Sequence, residues 1–197
     1  MKNPVRLGVL LSGSGRTLQN LLDRIADGSL PARIEVVVSS HPNVKGLDRA
    51  RAAGIPAVTV DYHKYSDPKD FSAAVTAELD RHPVDLVLMA GFIRRYLFPA
   101  KYEGRVLNIH PALLPEFGGK GYYGHHVHEA VLKAKAKESG CTVHLADQQY
   151  DRGPILLQKR VPVLPDDTPD TLAERVFQAE CEAYPEAIRR MAAVEVR

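Results

Sequence analysis

Short apolar runs alternate with helical patterns along the first 110 residues, and this alternation constrains the fold more than any other feature. The first run, Val5–Leu11, is rich in apolar residues and ends in Ser-Gly-Ser-Gly, as is typical of a strand buried on both faces. A helical apolar face follows at Leu18, Leu21, Leu22 and Ile25. Strands joined by helices of this length form right-handed βαβ units in a mainly parallel sheet flanked by helices.

The rest of the chain extends this pattern and then changes it. Further strands are predicted at Ile34–Val38, Pro56–Val60, Asp85–Ala90 and Val106–Ile109, with helices closing at Gly54 and near His82. After Pro111 come a glycine-rich loop, a helix at about Val127–Ala136, and two extended runs at 141–145 and Ile155–Val163, which indicate added antiparallel strands. A last helix starts after Asp167 or Thr168, and we expect Pro185 to end or kink it. The prediction is a single α/β, Rossmann-like domain over residues 1–197.

Composition narrows the functional class. The 197 residues carry 26 Lys and Arg against 24 Asp and Glu, a net charge of +2, without a basic block that would favour nucleic acid. Cys141 and Cys181 lie far apart and form no CxxC pair, so a reducing compartment is expected. No apolar run approaches the length of a membrane span. We therefore expect a cytoplasmic protein with small-molecule partners and with neither nucleic acid nor membrane as a partner.

The loop between the first strand and the first helix is a candidate anion site. It reads Ser-Gly-Ser-Gly-Arg-Thr over residues 12–17, where helix N–H groups and the positive end of the helix dipole favour a phosphate. A third glycine of the dinucleotide fingerprint is missing, since Leu18 takes its place, and no carboxylate follows the second strand. The alternative is a glycine turn that only lets strand and helix meet.

A second set of polar residues follows later strands. Asn108 and His110 point to the same side at the carboxyl end of the fifth strand, where one could orient a carbonyl and the other handle a proton. They could equally satisfy a strand end. Asp151 precedes a Gly-Pro turn; it either forms that turn or pairs with an imidazole, raises the imidazole pKa and fixes its tautomer.

The histidines at 125, 126 and 128 invite a metal hypothesis. They lack the His-x-x-x-His spacing that places two ligands one helical turn apart, and no cysteine or carboxylate pair matches them. We therefore expect no metal.

Five motifs together resemble one family. They are Val-Leu-Leu-Ser-Gly-Ser-Gly-Arg-Thr-Leu-Gln at 9–19, Met-Ala-Gly-Phe-Ile-Arg at 89–94, Leu-Asn-Ile-His-Pro-Ala-Leu-Leu-Pro at 107–115, Gly-Cys-Thr-Val-His at 140–144 and Asp-x-Gly-Pro-Ile-Leu at 151–156. In this order they resemble the phosphoribosylglycinamide formyltransferases, within the folate-dependent formyltransferase superfamily.

The resemblance implies an activity and a set of site residues. The activity is transfer of the formyl group of 10-formyltetrahydrofolate to the amino group of glycinamide ribonucleotide, in de novo purine (IMP) biosynthesis. It implies direct attack through a tetrahedral intermediate, with the ribonucleotide phosphate site in the N-terminal half and the folate site toward the C-terminal half. The implied catalytic residues are Asn108, His110 and Asp151; the ribonucleotide residues are Gly15, Arg16, Thr17 and Glu180; the folate residues are Ile93, Arg94, Arg95, Tyr96 and Asn108.

One segment departs from the family, and two alternative functions stay open. The glycine-rich stretch 116–125 is longer than the family's usual loop, and forms either a mobile lid or a rigid loop packed by Tyr122 and Tyr123. A formyltetrahydrofolate hydrolase and a non-catalytic phosphometabolite-binding module are the alternatives. A methionyl-tRNA formyltransferase is not expected, because those enzymes carry a further C-terminal domain and a basic surface. The sequence leaves open the oligomeric state, the kinetic order, and whether His110 or a water carries the proton.

Overall fold

The computed structural model describes residues 4–119, 121–147 and 149–194. The described residues contain strands β1 (Val5–Leu11), β2 (Ala32–Ser39), β3 (Ala57–Thr59), β4 (Leu86–Met89), β5 (Val106–His110), β6 (Glu138–Leu145) and β7 (Ile155–Pro162). Their helices are α1 (Arg16–Ala26), α2 (Lys45–Ala52), α3 (Pro68–Leu79), α4 (His125–Lys133) and α5 (Pro169–Val194). The chain divides into two compact units, residues 1–107 and 108–197, and the division falls within β5.

The first unit is built on parallel strands. Strand β1 pairs in parallel with β2 and β4, and β2 pairs in parallel with β3. Leu7 and residues 9–11 of β1 are completely buried, as the apolar run predicts, and the apolar face of α3 (Phe71, Val75 and Leu79) is also completely buried. Helix α3 begins with Pro68 after a side-chain cap from Asp67, whose carboxylate accepts a hydrogen bond from the N–H of Lys69 at 2.7 Å.

Gly15 fixes the turn from β1 into α1. It caps α1 in the left-handed region, with φ 68°, and a Cβ placed on it would lie 2.6 Å from the Cα of Gly46. Both the backbone conformation and the close approach of α2 therefore require glycine at this position.

The second unit contains an antiparallel pair and the longest helix. Strands β6 and β7 pair antiparallel, as the alternation after residue 140 predicts. Of the two expectations for Pro185, that it ends the last helix is wrong, because α5 continues to Val194 with this proline inside it, and that it kinks the helix stays a prediction. Tyr184, Ala187 and Ile188 on either side of Pro185 are completely buried. Burial of this face holds the helix together across the hydrogen bond that proline cannot donate.

The predicted fold class is confirmed. The strand order is β3-β2-β1-β4-β5-β6-β7, mainly parallel with an antiparallel addition in the C-terminal part. The assignment of residues 1–197 to a single domain stays a prediction. None of the described helices combines the length and the apolar character that crossing a bilayer requires.

Candidate active site

Four polar side chains of the second unit lie together in one cluster, two of them buried and two half-buried. Asn108 and His110 lie on β5, His144 lies near the end of β6, and Asp151 lies in the connection between β6 and β7. Only 4% of His110 and 1% of His144 is exposed. Buried polar groups of this kind need hydrogen-bond partners, which the two rings find in Asn108 and in the backbone carbonyls of Phe117 and Leu145.

Asp151 lies at the centre of the cluster. Its Oδ1 accepts a hydrogen bond of 3.3 Å from Asn108 Nδ2 and lies 3.5 Å from His144 Nε2. Its Oδ2 accepts a 2.9 Å hydrogen bond from the N–H of Gly119 and lies 3.6 Å from His110 Nδ1. Burial raises the pKa of Asp151, but the His144 contact, the charge that His110 carries when it is protonated and the Gly119 N–H together bring that pKa below its ordinary value. The carboxylate is therefore ionised at neutral pH.

His110 is held between a carbonyl and this carboxylate. Its Nε2 lies 2.7 Å from the carbonyl oxygen of Phe117, and because a carbonyl only accepts, Nε2 carries the hydrogen. Burial lowers the pKa of His110, and Asp151 and the Phe117 carbonyl offset this only in part. The sequence-based expectation of a raised pKa is therefore corrected: burial outweighs Asp151, and the neutral imidazole is favoured.

His144 is the site residue that the sequence reasoning missed. Its Nδ1 donates to the carbonyl oxygen of Leu145 at 3.0 Å, so Nε2 is free to accept the 3.0 Å hydrogen bond from Asn108 Nδ2. The sequence signal that could have identified it is its position at the end of the Gly-Cys-Thr-Val-His motif at 140–144, one of the five motifs that carry the family resemblance. In an alternating strand, however, an inward-facing histidine resembles an ordinary core position.

The start of the glycine-rich loop covers this cluster. Phe117 and Asp151 both adopt positive φ, 53° and 54°. A Cβ on Gly118 would collide with the Cδ2 methyl of Leu114 and lie 3.3 Å from Asp151 Cβ, so a side chain at this position would require Leu114 to shift. Lys120, in the same loop, lies outside the described residues.

The first unit holds the predicted phosphate loop, residues 12–17, and the predicted folate-binding residues 93–96, which we call the predicted folate segment. Arg16 and Thr17 open α1 directly after Gly15. Ile93 is 45% exposed, and its N–H donates to the Ser12 hydroxyl at 3.1 Å. The guanidinium of Arg94 lies over the ring of Tyr62, 4.1 Å from its centroid.

The other predicted binding residues differ in their burial. Arg95 is exposed, whereas Tyr96 is buried, with its hydroxyl 2.9 Å from the Thr76 hydroxyl and a pKa raised to about 12 by burial. Glu180 lies half-buried on α5, and its charge adds to the burial that raises the pKa of Cys141 to about 12. The binding roles of these residues stay predictions.

The histidines of α4 do not gather ligands. His125 lies 3.5 Å from an Asp170 oxygen and His126 lies 3.5 Å from a Glu129 oxygen, while burial lowers the pKa of His128 to about 4. Within residues 4–119, 121–147 and 149–194, no three His, Cys, Asp or Glu side chains are arranged to hold a metal ion.

Comparison with known proteins gives consistent matches. The profile of the family described as formyl transferase matches residues 5–188. The trifunctional purine biosynthetic protein adenosine-3 of Homo sapiens is 38% identical over 198 residues, covering 100% of this chain and 19% of that protein. The chain thus spans less than a fifth of that relative's length. The chloroplastic phosphoribosylglycinamide formyltransferase of Arabidopsis thaliana is 38% identical over 188 residues, covering 93% of this chain and 64% of that protein.

Solved structures with similar folds cover nearly the same residues. Glycinamide ribonucleotide transformylase 1 from Symbiobacterium toebii superposes with a TM-score of 0.88 and 41% identity, over 96% of this chain and 88% of that one. The phosphoribosylglycinamide formyltransferase from Brucella melitensis gives a TM-score of 0.85 and 39% identity, over 96% of both chains.

Proposed function

Because the chain belongs to the formyl transferase family, we propose that it transfers a formyl group from 10-formyltetrahydrofolate to the amino group of glycinamide ribonucleotide. One observation carries the proposal: Asn108, His110, His144 and Asp151 lie in one cluster, in which both imidazole rings are buried, Asn108 donates to His144 and Asp151, and Asp151 lies 3.6 Å from His110. Formyl transfer needs a donor for a developing oxyanion and a path for one proton, and these residue types supply both. The names of the related proteins support this choice of acceptor.

The reaction begins with attack of the substrate amine on the formyl carbon. A C–N bond forms, the carbonyl electron pair moves to oxygen, and a tetrahedral intermediate carries negative charge on that oxygen. The intermediate collapses as the carbonyl re-forms and the bond from carbon to N10 of the folate breaks. N10 leaves with the electron pair and takes up one proton, and the attacking amine gives up one proton, so the products are the N-formyl ribonucleotide and tetrahydrofolate.

Asn108 is the proposed oxyanion donor. Its amide nitrogen donates to His144 at 3.0 Å and to Asp151 at 3.3 Å. The longer bond is the weaker, so we expect the formyl oxygen to compete with Asp151 for the hydrogen that points at the carboxylate. His144 then keeps the amide in place while the other hydrogen stabilises the charge.

His110 and Asp151 are the proposed proton-handling pair. A neutral imidazole accepts a proton, and the adjacent carboxylate stabilises the imidazolium that forms. Because the Nε2 hydrogen of His110 bonds to the carbonyl of Phe117, exchange of this proton with substrate requires that hydrogen bond to open. The loop that begins at Phe117 therefore acts on the proton step.

The first loop and the segment at 93–96 are the proposed binding elements. Gly15, Arg16 and Thr17 would hold the ribonucleotide phosphate at the N-terminus of α1, where the helix dipole favours an anion. Residues 93–96 and Asn108 would bind the folate, and Glu180 would bind the ribonucleotide. No step in this scheme calls for a metal.

The test is an absorbance assay of 10-formyltetrahydrofolate with and without glycinamide ribonucleotide. Turnover that requires the ribonucleotide supports the proposal. Turnover without an acceptor would identify a hydrolase, and binding of either compound without turnover would identify a binding module; both outcomes contradict the transferase. Asp151→Asn should lose about 10²-fold or more of the turnover in the same assay, which controls for contaminating enzymes.

The proposed location is the cytoplasm. Cys141 and Cys181 do not form a disulfide, which is consistent with a reducing compartment. Fractionation of cells that express a tagged chain tests this location, and tag in an organelle fraction would contradict it. The plant relative named above is chloroplastic.

A further inference from the structure

A chain of hydrogen bonds in the first unit joins the first loop to Arg94. Ser12 Oγ lies 2.6 Å from Ser40 Oγ, Ser40 Oγ lies 2.8 Å from His41 Nδ1, and Arg94 Nη2 lies 3.1 Å from His41 Nε2. We call these four residues the relay. Ser12 belongs to the predicted phosphate loop and Arg94 to the predicted folate segment, and nothing in the proposed reaction uses Ser40 or His41.

The direction of every bond in the relay follows from one group. A guanidinium only donates, so His41 Nε2 must accept from Arg94, and the hydrogen of the neutral ring lies on Nδ1. Nδ1 then donates to Ser40, which is completely buried and so must give its own hydrogen to Ser12. Ser12 also accepts the N–H of Ile93, which leaves its hydroxyl hydrogen to donate at the start of the first loop.

His41 and Tyr62 together fix the guanidinium of Arg94. The ring of Tyr62 lies 4.1 Å from the guanidinium carbon, and His41 accepts from one terminal nitrogen. Stacking and a hydrogen bond from two directions leave this side chain little freedom. The neutral imidazole thus holds both the hydroxyl of Ser12 and the guanidinium of Arg94.

Protonation of His41 would break the relay. The imidazolium has hydrogens on both nitrogens, so Nε2 can no longer accept from Arg94, and two cations would face each other. The charged or titratable groups around the ring are Arg94, His63, whose ring centroid lies 5.6 Å away, and Asp61. Burial, Arg94 and His63 lower the pKa of His41 and Asp61 opposes them, so the neutral form prevails at pH 7.

We propose that His41 is a positioning residue for both substrate-binding segments, holding Ser12 and Arg94 in place when neutral and releasing both when protonated. This proposal rests on the proposed function, because it takes the first loop and residues 93–96 as the binding elements for ribonucleotide and folate. It assigns to His41 a role in affinity and none in the chemical step.

The test compares three variants by steady-state kinetics at about pH 7.5 and about pH 5.5, above and below the ordinary histidine pKa. Because the pKa of His41 lies below that ordinary value, the acid effect at about pH 5.5 should be partial and should grow as the pH is lowered further. His41→Leu removes both bonds and should raise KM for both substrates about tenfold at the higher pH, with kcat changed less than twofold. His41→Gln offers one acceptor and one donor that do not titrate, and should keep KM near wild type at both pH values. His82→Gln, a matched change outside the relay, should behave as wild type.

Wild type should show a rise in KM on acidification that His41→Gln lacks. Equal KM values for His41→Leu and wild type at pH 7.5, or the same acid rise in His41→Gln as in wild type, would overturn the proposal. If His41→Leu fails to fold, Ser40→Ala takes its place: it cuts the relay beyond His41 and should raise KM for the ribonucleotide alone.

A readout without turnover separates this proposal from the proposed function. Inorganic phosphate is titrated into wild type and His41→Gln while the amide NMR signals of residues 13–17 are followed. Phosphate binding that weakens at pH 5.5 in wild type but not in His41→Gln supports the relay, even if no formyl transfer is found. The same pH dependence in both proteins, or no phosphate binding in either, contradicts it.

Discussion

Asp151 touches every other member of the proposed catalytic cluster, so its replacement is the sharpest test of the candidate site. Asp151→Asn keeps the shape but removes the charge that raises the pKa of His110. We expect turnover to fall about 10²-fold or more, KM values to stay near wild type, and the pKa of His110 to fall further. Stopped assays and an NMR titration of His110 measure these quantities.

Asn108→Ala is the matched control for that experiment. It removes an oxyanion donor and should also lower turnover about 10²-fold, but it leaves the carboxylate beside His110. Only the Asp151 variant should move the imidazole titration. An unchanged pKa of His110 in Asp151→Asn would refute the pairing, however slow the variant is.

The sequence identified three of the four clustered side chains, and the missing one shows what limits such reasoning. Asn108, His110 and Asp151 stand at strand ends and before a turn, where polar residues need an explanation. His144 lies within β6, where the alternation of inward-facing and outward-facing side chains already explains why its side chain points inward, so nothing in the pattern marks it as functional. The direction of the His110 pKa shift could not be predicted either, because it depends on how completely the ring is buried.

The first loop offers a pair of glycines that differ in their constraints. Gly15 has φ 68° and no room for a Cβ, whereas a Cβ on Gly13 has no atom within 4 Å. Gly15→Ala should weaken ribonucleotide binding about tenfold or more while sparing folate, and Gly13→Ala should change neither by more than about twofold. Calorimetry with each substrate separates the two variants; equal losses in both would mean that the shape of the loop is not what binds.

The start of α5 depends on Asp167. Its carboxylate accepts hydrogen bonds from Arg175 at 2.6 and 2.9 Å and from the N–H of Leu164 at 2.7 Å, and these contacts, with Arg175 first, lower its pKa. A depressed carboxyl pKa stabilises the fold above the unfolded value of about 3.9, and the stabilisation is lost as pH falls through the lower folded value.

Asp167→Asn should therefore melt at a lower temperature than wild type at pH 7 and pH 5, with the gap closing below about pH 4. Thermal unfolding followed by circular dichroism at each pH measures the gap. A gap that stays constant down to pH 2 would show that the charge of Asp167 contributes nothing.

The bounds of helices and strands were predicted well where one hydrophobic period dominated the sequence. They were predicted poorly where tertiary packing determines where an element begins or ends. Strand β1 has the predicted bounds, Val5–Leu11, because a continuous apolar run bounded by glycine has one stable outcome. Helix α4 runs from His125 to Lys133 instead of from 127 to 136, and α5 passes through Pro185. In α5 the local rule against proline is overridden by burial of a whole helix face, which no short window of sequence contains.

The chemistry proposed for the intact protein uses hydrogen-bond donors and a proton carrier and no Lewis acid. Exhaustive dialysis against EDTA should therefore leave kcat and both KM values within about twofold of the untreated protein. Zinc added back to the dialysed protein should not increase turnover. If dialysis abolishes activity and zinc restores it, a metal ion takes part in the reaction. The histidines of α4 would then be the first candidate ligands.

The positive φ of Asp151 affects how this protein should be surveyed by scanning mutagenesis. At φ 54° aspartate and asparagine are tolerated, because their short polar side chains bond locally, but alanine is strained by about 1 kcal/mol. Asp151→Ala would thus combine a lost carboxylate with a strained backbone, and its free energy of unfolding in urea should fall about 1 kcal/mol below that of Asp151→Asn. An alanine scan would therefore report a loss of stability at position 151, whereas an asparagine scan would report only the loss of the carboxylate charge.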